Sequence, residues 1–409
     1  MSALRRLLLL ECVLVYFAAG MFYILPLFLG SRGGGELLAA QLIGVSAVGA
    51  IACSAGSAWL VQRFGLARLA PLGGTVFAAG SLLFALAAWA DAGTPLLFAA
   101  SAVQGWGWGL YFTLGPLCLS SLCVAEERTH SLLLYGAAGS VGSGLAPLLA
   151  ELVLHRAPDG FAGLFALAAL CSAAAAFLSR AVVRGVAGLH AQASGSGPAS
   201  WPGQAGAAAL PVPWRRHAGA AAGLPRIASC RSLLQWPGAA YYLMVALAAC
   251  IYTSMINFQT TFAAAKGVHY STFYLFYTLA VIGTRFAAGW LGKGHDLARL
   301  LPALLATALL SLGFLAAAAL SPLLYAVGAF LLGAGYGLAY PIMQSQAIRH
   351  APQGAQPLAM SLYSLSYLVP RYGFPYLAAL LVLGGGYEAL LAVLACCTAA
   401  ALVLAKISR

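Results

Sequence analysis

Charged residues, and acidic residues above all, are scarce in this 409-residue chain. Only 7% of its residues are charged, and only nine are Asp or Glu. A soluble globular domain carries roughly 25% charged residues, so the composition excludes a molecule whose whole surface faces water. Hydrophobic residues make up 62% of the chain, and the mean hydropathy is +0.90. The composition therefore predicts a protein whose surface faces lipid.

Residue patterns for metal, redox or enzymatic chemistry are missing as well. The nine cysteines show no metal-ligand or redox spacing, and the adjacent Cys396 and Cys397 are better explained by helix packing than by a disulfide. No His lies in the middle of an apolar stretch, and no nucleophile–base pair or metal-ligand cluster occurs. The sequence therefore predicts no enzyme activity, no cofactor and no metal.

Apolar stretches of about 20 residues, the length that crosses a bilayer as a helix, recur along the chain. The first could be taken for a signal peptide, but it continues to Leu29 and is long enough to span. We predict twelve transmembrane helices in two six-helix bundles, an all-α membrane protein. The predicted spans are residues 7–30, 37–61, 70–90, 95–123, 131–154 and 160–183, then 239–262, 270–292, 300–319, 322–347, 357–383 and 387–405.

The net charge of +12 is explained by topology. With the N-terminus inside, most Lys and Arg residues fall on the cytoplasmic side, and only Arg32, Arg156 and Lys266 fall outside. This asymmetry is the positive-inside rule, so it indicates lipid and a small solute as partners rather than nucleic acid. We expect a monomeric, multi-pass protein of the cell inner (plasma) membrane with both termini cytoplasmic.

Two sequence patterns each occur twice, at nearly the same offset. Trp-Leu, five variable residues and Leu-Ala-Arg-Leu occupy residues 59–69 and again 290–300, and Gly-x-Gly-x-Gly-Leu occupies 105–110 and 333–338. Repetition in the same order predicts two duplicated halves. No strand precedes the glycine runs and no Lys-Ser/Thr follows them, so close helix packing explains them better than nucleotide binding.

The two predicted halves, residues 1–184 and 237–409, are joined by a stretch of different composition. Residues 185–236 are rich in Gly, Ala, Ser and Pro and contain no acid. Such a segment buries too little apolar surface to order itself, which predicts a disordered cytoplasmic linker. The alternative is a short piece lying on anionic lipid.

With two six-helix halves and a long loop between them, the whole chain resembles a transporter of the major facilitator superfamily. That family carries a motif close to Gly-x-Leu-Ala-Asp-Arg-x-Gly-Arg-Lys between helices 2 and 3. Leu60, Arg63, Gly65 and Arg68 match it, but Gln62 replaces the acid. The second copy keeps Gly289, Leu291 and Arg299 and has Lys293 at the acidic position. The resemblance implies a gating latch here, and the missing acids weaken it.

The fifth helix carries a second matching motif. Gly142-Ser143-Gly144-Leu145-Ala146-Pro147 resembles the Gly-x-x-x-Gly-Pro motif of the family's antiporters, with Ala146 in place of the second Gly. Small residues let helices approach closely in lipid, and Pro147 weakens the helix at a pivot. The resemblance implies the exporting branch, although Ser101 stands where its drug exporters carry an Arg.

Ionisable residues inside the spans are the strongest candidates for transport chemistry, because each is costly to hold there. Arg371 lies in mid-span between Pro370 and Pro375, which predicts an anion-binding or coupling role, with a structural ion pair as the alternative. Arg285 lies at the cytoplasmic end of its helix and is better explained as part of the latch. Glu11 and Glu151 are candidates for proton coupling, since a buried carboxyl takes up a proton more readily. Glu11 could equally pair with Arg5 or Arg6, and Glu151 could lie at the outer interface.

Polar and aromatic side chains complete the predicted binding cavity. They are Asn257 and Gln259 in helix 7, Tyr111 in helix 4, and Tyr340 and Gln344 in helix 10. We predict a secondary transporter that works by alternating access between its halves, carrying a small anionic solute by proton-linked efflux. Uptake of an anionic metabolite by the same fold is the alternative, and a non-transporting receptor or scaffold is a third possibility.

Overall fold

A computed structural model describes residues 3–121, 125–194, 238–291, 297–350 and 356–408. Every regular element in these ranges is helical, which confirms the predicted all-α class.

We number the helices α1 to α12. In the first half α1 comprises Ala3–Gly20, a 3-10 turn Met21–Ile24 and Leu25–Gly30, and it is followed by α2 (Glu36–Phe64), α3 (Leu66–Trp89), α4 (Thr94–Ser121), α5 (Ala125–Arg156) and α6 (Phe161–Ser194). In the second half α7 comprises Gly238–Asn257 and Gln259–Lys266, and it is followed by α8 (Tyr270–Leu291), α9 (Leu301–Ala316, between the 3-10 turns Leu297–Leu300 and Ala317–Leu320) and α10 (Pro322–Arg349). Helices α11 and α12 share the stretch Gln356–Ile407, which leaves helical geometry at Gly386.

Most of these helices are long and apolar enough to cross a bilayer. Within the described ranges, nine stretches meet that condition, and one of them, Leu362–Ile407, is broken by Gly386 and holds two crossings. The helices α4 and α8, with 28 and 22 residues, are also of spanning length. The predicted twelve-helix membrane fold is confirmed, with boundaries shifted by several residues.

Glycine ends several helices where the chain must reverse. Gly65 (φ 79) lies between α2 and α3, Gly267 (φ 68) ends α7, and Gly386 (φ 70) separates α11 from α12. Side chains other than glycine rarely adopt such positive φ values. Proline begins α10 at Pro322 and follows the first residue of α9 at Pro302, where its missing N–H costs nothing. These residues keep the connections short.

The chain divides into two compact units, Met1–Leu210 and Pro211–Arg409. In the N-terminal unit α3 packs on α4 and α6, α2 packs on α4, and α1 packs on α5 and α6. In the C-terminal unit α9 packs on α10, α8 packs on α10, and both α7 and α9 pack on the α11–α12 stretch. Equivalent helices therefore pack together in each unit, as expected for duplicated halves. The helix α6 continues to Ser194, and the rest of the predicted linker lies outside the described residues.

The two glycine runs have the same structural role. A Cβ on Gly105 or Gly109 would overlap the backbone of α2, and one on Gly107 would overlap the backbone of α3. In the second unit a Cβ on Gly333 would collide with α8, and one on Gly335 would lie 2.6 Å from the Leu304 carbonyl oxygen of α9. Both α4 and α10 are thus wedged between two neighbours, which confirms that the glycines serve close packing.

Candidate functional site

The side chain of Arg371 lies among aromatic rings at the middle of α11. Its guanidinium carbon is 5.3 Å from the ring centre of Tyr252 on α7, 5.5 Å from that of Tyr367 and 5.9 Å from that of Tyr372. Its Nη1 donates a hydrogen bond of 2.5 Å to the Tyr367 hydroxyl, one helical turn earlier. We call Arg371, Tyr252, Tyr367 and Tyr372 the Arg371 site.

These contacts explain how an arginine is held at this depth. An Arg at the centre of a membrane helix costs roughly 2.5–3.5 kcal/mol on insertion scales. A cation–π contact contributes about 0.5–2 kcal/mol, and a hydrogen bond to a charged group contributes about 1.5–3 kcal/mol. Three rings and one hydroxyl therefore offset a cost of this size and hold the guanidinium group in a defined place.

Further tyrosines extend the site onto α10. Tyr252 stacks on Tyr336 with ring centres 4.9 Å apart and planes at 12°. Tyr367 meets Tyr340 edge to face at 5.2 Å, and Tyr336 and Tyr340 lie one turn apart on α10 with centres at 6.2 Å. We call Tyr252, Tyr336, Tyr340 and Tyr367 the tyrosine cluster.

A polar chain on α7 supports the backbone beside Arg371. The hydroxyl of Thr253, which is fully buried, donates a 2.6 Å hydrogen bond to the carbonyl oxygen of Arg371. The amide nitrogen of Asn257 donates to the carbonyl and to the hydroxyl oxygen of Thr253, both at 2.9 Å. The structure therefore brings Asn257, Tyr340 and Arg371 into one region of the C-terminal unit.

The acids of the C-terminal unit lie elsewhere. Its sequence contains only Asp296 and Glu388, and Asp296 lies outside the described residues. Glu388, just after the break at Gly386, forms an ion pair with Lys266 at the end of α7, with 2.6 Å between Oε1 and Nζ. The electrostatics of this unit are thus dominated by cations.

The N-terminal unit has a separate cluster around Glu11. Glu11 is 3% exposed, its side chain hydrogen-bonds Ser179 of α6, and its Oε2 has no hydrogen-bond partner among the described residues. The neighbouring Cys12 thiol donates to the Tyr135 carbonyl oxygen at 3.4 Å. Desolvating a carboxylate without full compensation is unfavourable, so this surrounding favours the neutral acid.

Tyr111 belongs to the same N-terminal cluster. Its hydroxyl accepts a 3.0 Å hydrogen bond from the Tyr135 hydroxyl, and its ring centre is 6.4 Å from that of Tyr16. Tyr16 in turn meets Trp108 edge to face at 5.2 Å. Tyr135 thus links Tyr111 to Cys12, the residue next to Glu11, so two predicted site residues, Tyr111 and Glu11, lie in the same cluster.

Three other candidates lie on α7, α10 and α5. Gln259 is fully buried at the break in α7, where its amide donates 2.6 Å to the hydroxyl of Tyr325. Tyr325 lies fifteen residues before Tyr340 on α10, about 22 Å along the helix, so the structure does not bring Gln259 to the Arg371 site. Gln344 lies half-buried one turn after Tyr340, and Glu151 lies half-buried near the outer end of α5.

The predicted gating residues lie at a helix junction and on α5. Arg63 and Arg68 are exposed on either side of Gly65, whereas the side chain of Gln62 and residue Lys293 lie outside the described parts. A Cβ on Gly142 would meet the backbone of α1 at Phe17, and Pro147 is buried within α5.

Two further residues make contacts between neighbouring helices. Ser101 donates to the Leu42 carbonyl oxygen of α2 at 2.5 Å, so it ties α4 to α2. Arg285, expected at the helix end, reaches the Gly337 carbonyl oxygen of α10 with its Nε at 3.4 Å.

Sequence reasoning missed most of the tyrosines around Arg371. Tyr252, Tyr336, Tyr367 and Tyr372 were not predicted as site residues. A usable signal was present, since Tyr363, Tyr367 and Arg371 follow each other at intervals of four and so share one helix face. The tyrosines on α7 and α10 offer no such signal, because their distance from Arg371 is set by packing.

Two six-helix units, with ionisable side chains held inside apolar helices, define a secondary active membrane transporter. The family model of the Major Facilitator Superfamily matches residues 7–375, and the chain belongs to this superfamily. No curated protein sequence matches the chain.

Solved structures with the same fold are transporters too. A peptide transporter POT in complex with sulfate is 19% identical, with a TM-score of 0.69 over 99% of this chain and 93% of that one. A POT family transporter in complex with 5-aminolevulinic acid is 13% identical, with a TM-score of 0.70 over 99% of this chain and 96% of that one. A variant of peptide transporter POT in complex with alafosfalin is 20% identical, with a TM-score of 0.69 over 98% and 93%. Identities this low establish a shared fold only.

Proposed function

We propose that this transporter carries a small solute with a carboxylate or another anionic group, and that Arg371 binds that group. The observation that carries the proposal is the position of Arg371 at the middle of α11, held by Tyr252, Tyr367 and Tyr372. An ionised side chain inside a membrane helix commonly marks a substrate or ion pathway. The surrounding rings support a site that keeps its cation oriented.

The chemistry of the Arg371 site favours an anion. A guanidinium group presents paired N–H donors that match a carboxylate or phosphate. The tyrosine hydroxyls can donate further hydrogen bonds, and the faces of the tyrosine rings offer apolar contact to a carbon skeleton. The scarcity of acids in this unit supports the same reading, since it leaves the local field positive.

The solved structures supply probes for the test. Relatives of this fold have been solved with sulfate, with 5-aminolevulinic acid and with alafosfalin. Because the likeness is one of fold, these compounds are starting points rather than predicted substrates. We add monocarboxylates and dicarboxylates of three to six carbons and short peptides.

Direction and location remain proposals that follow from sequence. The motif of residues 142–147 favours proton-linked efflux, and the close contact of Gly142 with α1 supports the packing role of that motif. Uptake of an anionic metabolite is the alternative, and a receptor or scaffold without transport is the third. We also propose the inner (plasma) membrane, both termini cytoplasmic and a monomer.

The test is solute flux in proteoliposomes that contain the full-length protein. We expect at least one anionic probe to exchange across the membrane, and its neutral amide or ester not to do so. Flux is measured in both directions, with and without a pH gradient, which separates efflux from uptake. Liposomes without protein are the control. If only cationic or neutral probes cross the membrane, the proposal of an anionic solute is wrong. If no probe is exchanged and none stabilises the protein, the result supports a receptor or scaffold without transport.

Proton coupling is expected to depend on Glu11. Replacing Glu11 by Gln keeps the size and a polar head but fixes the neutral state, so flux driven by a pH gradient should fall to the level seen without one. Counterflow exchange, which needs no net proton movement, should persist. Initial rates at several external pH values measure both.

The matched control is Glu151→Gln, which alters the other candidate acid at the outer end of α5. The titratable groups that face Glu11 are Cys12, Cys118, Tyr111 and Tyr135, and all four are unchanged in both variants. Gradient-driven flux that survives in Glu11→Gln but is lost in Glu151→Gln would reassign coupling to Glu151.

A further inference from the structure

A proline removes one backbone hydrogen bond from α11 directly after Arg371. In an α-helix the carbonyl of residue i accepts from the N–H of residue i+4. Four residues after Arg371 stands Pro375, which has no N–H. The Arg371 carbonyl therefore lacks its usual donor from position 375. Lipid cannot supply another donor, so the protein itself has to do so.

Thr253 of α7 supplies that donor. Its hydroxyl donates to the Arg371 carbonyl oxygen at 2.6 Å, and Thr253 is fully buried. The direction of the bond is fixed, because a carbonyl oxygen can only accept. The hydroxyl has a single proton, so its oxygen acts as the acceptor toward the Asn257 amide nitrogen, 2.9 Å away. Asn257 thus holds the Thr253 hydroxyl in the orientation that serves Arg371.

The preceding residue of α7 contacts the other end of Arg371. The ring centre of Tyr252 lies 5.3 Å from the guanidinium carbon. Two consecutive residues of α7 therefore hold Arg371, with Thr253 at its backbone and Tyr252 at its charged group. Since both ends of the residue are attached to the same helix, α7 determines where the cation lies.

A comparable arrangement occurs on α10. Pro341 removes the usual donor of the Gly337 carbonyl, four residues earlier. The Nε of Arg285 on α8 lies 3.4 Å from that carbonyl oxygen. In both helices, a side chain of a neighbouring helix reaches a carbonyl that a proline leaves without its intrahelical donor. The contact on α11 differs because it falls on the residue that carries the cation of the Arg371 site.

We propose that Thr253 and Asn257 are positioning residues, which hold the Arg371 carbonyl through the bond that Pro375 leaves open and so keep the guanidinium group in place for the solute. This inference rests on the proposed function, because it takes Arg371 as the group that binds the anion. It gives Asn257, which the sequence predicts as a direct solute ligand, a role that acts through Thr253.

The test is a double-mutant cycle of Thr253→Val and Pro375→Ala in the full-length protein. Thr253→Val keeps the shape of the side chain and removes the hydroxyl. Pro375→Ala restores an N–H that can bond the Arg371 carbonyl from within α11. Thr253→Val should lower the melting temperature in detergent, and it should lower it much less in the Pro375→Ala background. This part of the test needs no solute.

The binding of anions should follow a different pattern. The probes are succinate and 5-aminolevulinate, and their methyl esters are comparators without a carboxylate. Thr253→Val should raise the dissociation constant and the KM of the anionic probes about twofold to tenfold, the range that one hydrogen bond supplies. The loss should persist in the Pro375→Ala background, because an intrahelical donor satisfies the carbonyl without tying α11 to α7. Thr253→Ser, which keeps the hydroxyl, should recover most of the affinity.

The matched control is Thr398→Val. Thr398 of α12 is also fully buried, but its hydroxyl donates to the Leu394 carbonyl oxygen of its own helix at 2.7 Å. The affinity for both probes should stay close to that of the unaltered protein. An equal loss of affinity in Thr398→Val and Thr253→Val would overturn the positioning role.

Two results of the cycle would also overturn the inference. If affinity returns together with the melting temperature in the double variant, Thr253 only stabilises the fold. If the two substitutions have additive effects on melting, the Thr253 hydroxyl does not serve the carbonyl that Pro375 leaves open. The proposed function fails separately: if folded Arg371→Gln binds both probes as tightly as the unaltered protein, Arg371 is not the anion site.

Discussion

Replacing Arg371 by glutamine is expected to lower the transport of every anionic solute at least about 30-fold. Truncating one partner of a buried, hydrogen-bonded charge pair costs about 2–5 kcal/mol, and each 1.4 kcal/mol is a factor of ten in affinity. Arg371 is held by a 2.5 Å hydrogen bond to Tyr367 and by three rings, which fix its guanidinium group at the site. Initial transport rates and dissociation constants for the same solute measure the loss.

Two milder substitutions are expected to lower anion transport by less than Arg371→Gln does. Arg371→Lys keeps the charge but loses the paired donors of the guanidinium group, so an intermediate loss is expected. Tyr367→Phe removes the hydroxyl that accepts from Arg371 and keeps the ring, which should loosen the cation and weaken binding several-fold.

The matched control for Tyr367→Phe is Tyr363→Phe. Tyr363 lies one turn earlier on α11 and donates its hydroxyl to the Tyr340 carbonyl oxygen, without a contact to the guanidinium group. Transport in Tyr363→Phe should stay close to that of the unaltered protein.

Because the cation is costly to bury, Arg371→Gln should melt no lower than the unaltered protein. Full anionic transport by folded Arg371→Gln would show that the anion binds elsewhere.

Enlarging one glycine of either glycine run should abolish stable folding of the unit that contains it. A Cβ at Gly335 would lie 2.6 Å from the Leu304 carbonyl oxygen and 3.0 Å from the Ala308 nitrogen, and backbone atoms of a packed helix cannot move aside cheaply. Overpacking a core costs about 1–3 kcal/mol for small additions and occasionally more. Gly335→Leu adds four carbons where there is no room, so a large fall in melting temperature or no recoverable protein is expected.

Two further variants test whether the effect depends on close helix packing. Gly107→Leu should lower the melting temperature as much. Gly107 lies against the backbone of α3 at Phe77, just as Gly335 lies against the backbone of α9. Gly313→Leu is the matched control, since nothing lies within 4 Å of a Cβ at Gly313 and the added side chain would face outward. Melting temperatures in detergent measure all three. Equal melting of Gly335→Leu and Gly313→Leu would mean that α10 is not wedged.

Three residues in the region of the candidate site were predictable from residue types alone. Arg371 stands out because a cation in an apolar stretch of about 20 residues is costly, and Asn257 and Tyr340 follow from their polarity within such stretches. Gln259 was predicted on the same grounds, yet it is buried against Tyr325. Asn257 and Gln259 have different surroundings because α7 is broken between them at Phe258. The break changes the direction of the second segment, and no residue pattern predicted it.

The sequence by itself determined the class of molecule, the number of crossings and the duplication. These follow from properties that are read along one chain: the length of apolar runs, the placement of Lys and Arg, and the recurrence of two patterns. They also place one cation in the middle of α11.

Only the tertiary structure decided which side chains surround that cation. A helix that is apolar on every side has no amphipathic stripe to show which face is buried. The hydropathy of its sequence therefore does not determine how the helix is rotated about its own axis. Tyr252, Tyr336 and Arg371 are separated by 35 residues or more along the chain, and packing of α7, α10 and α11 brings them together. The same kind of packing brings the Nε of Arg285 on α8 to 3.4 Å from the Gly337 carbonyl oxygen of α10.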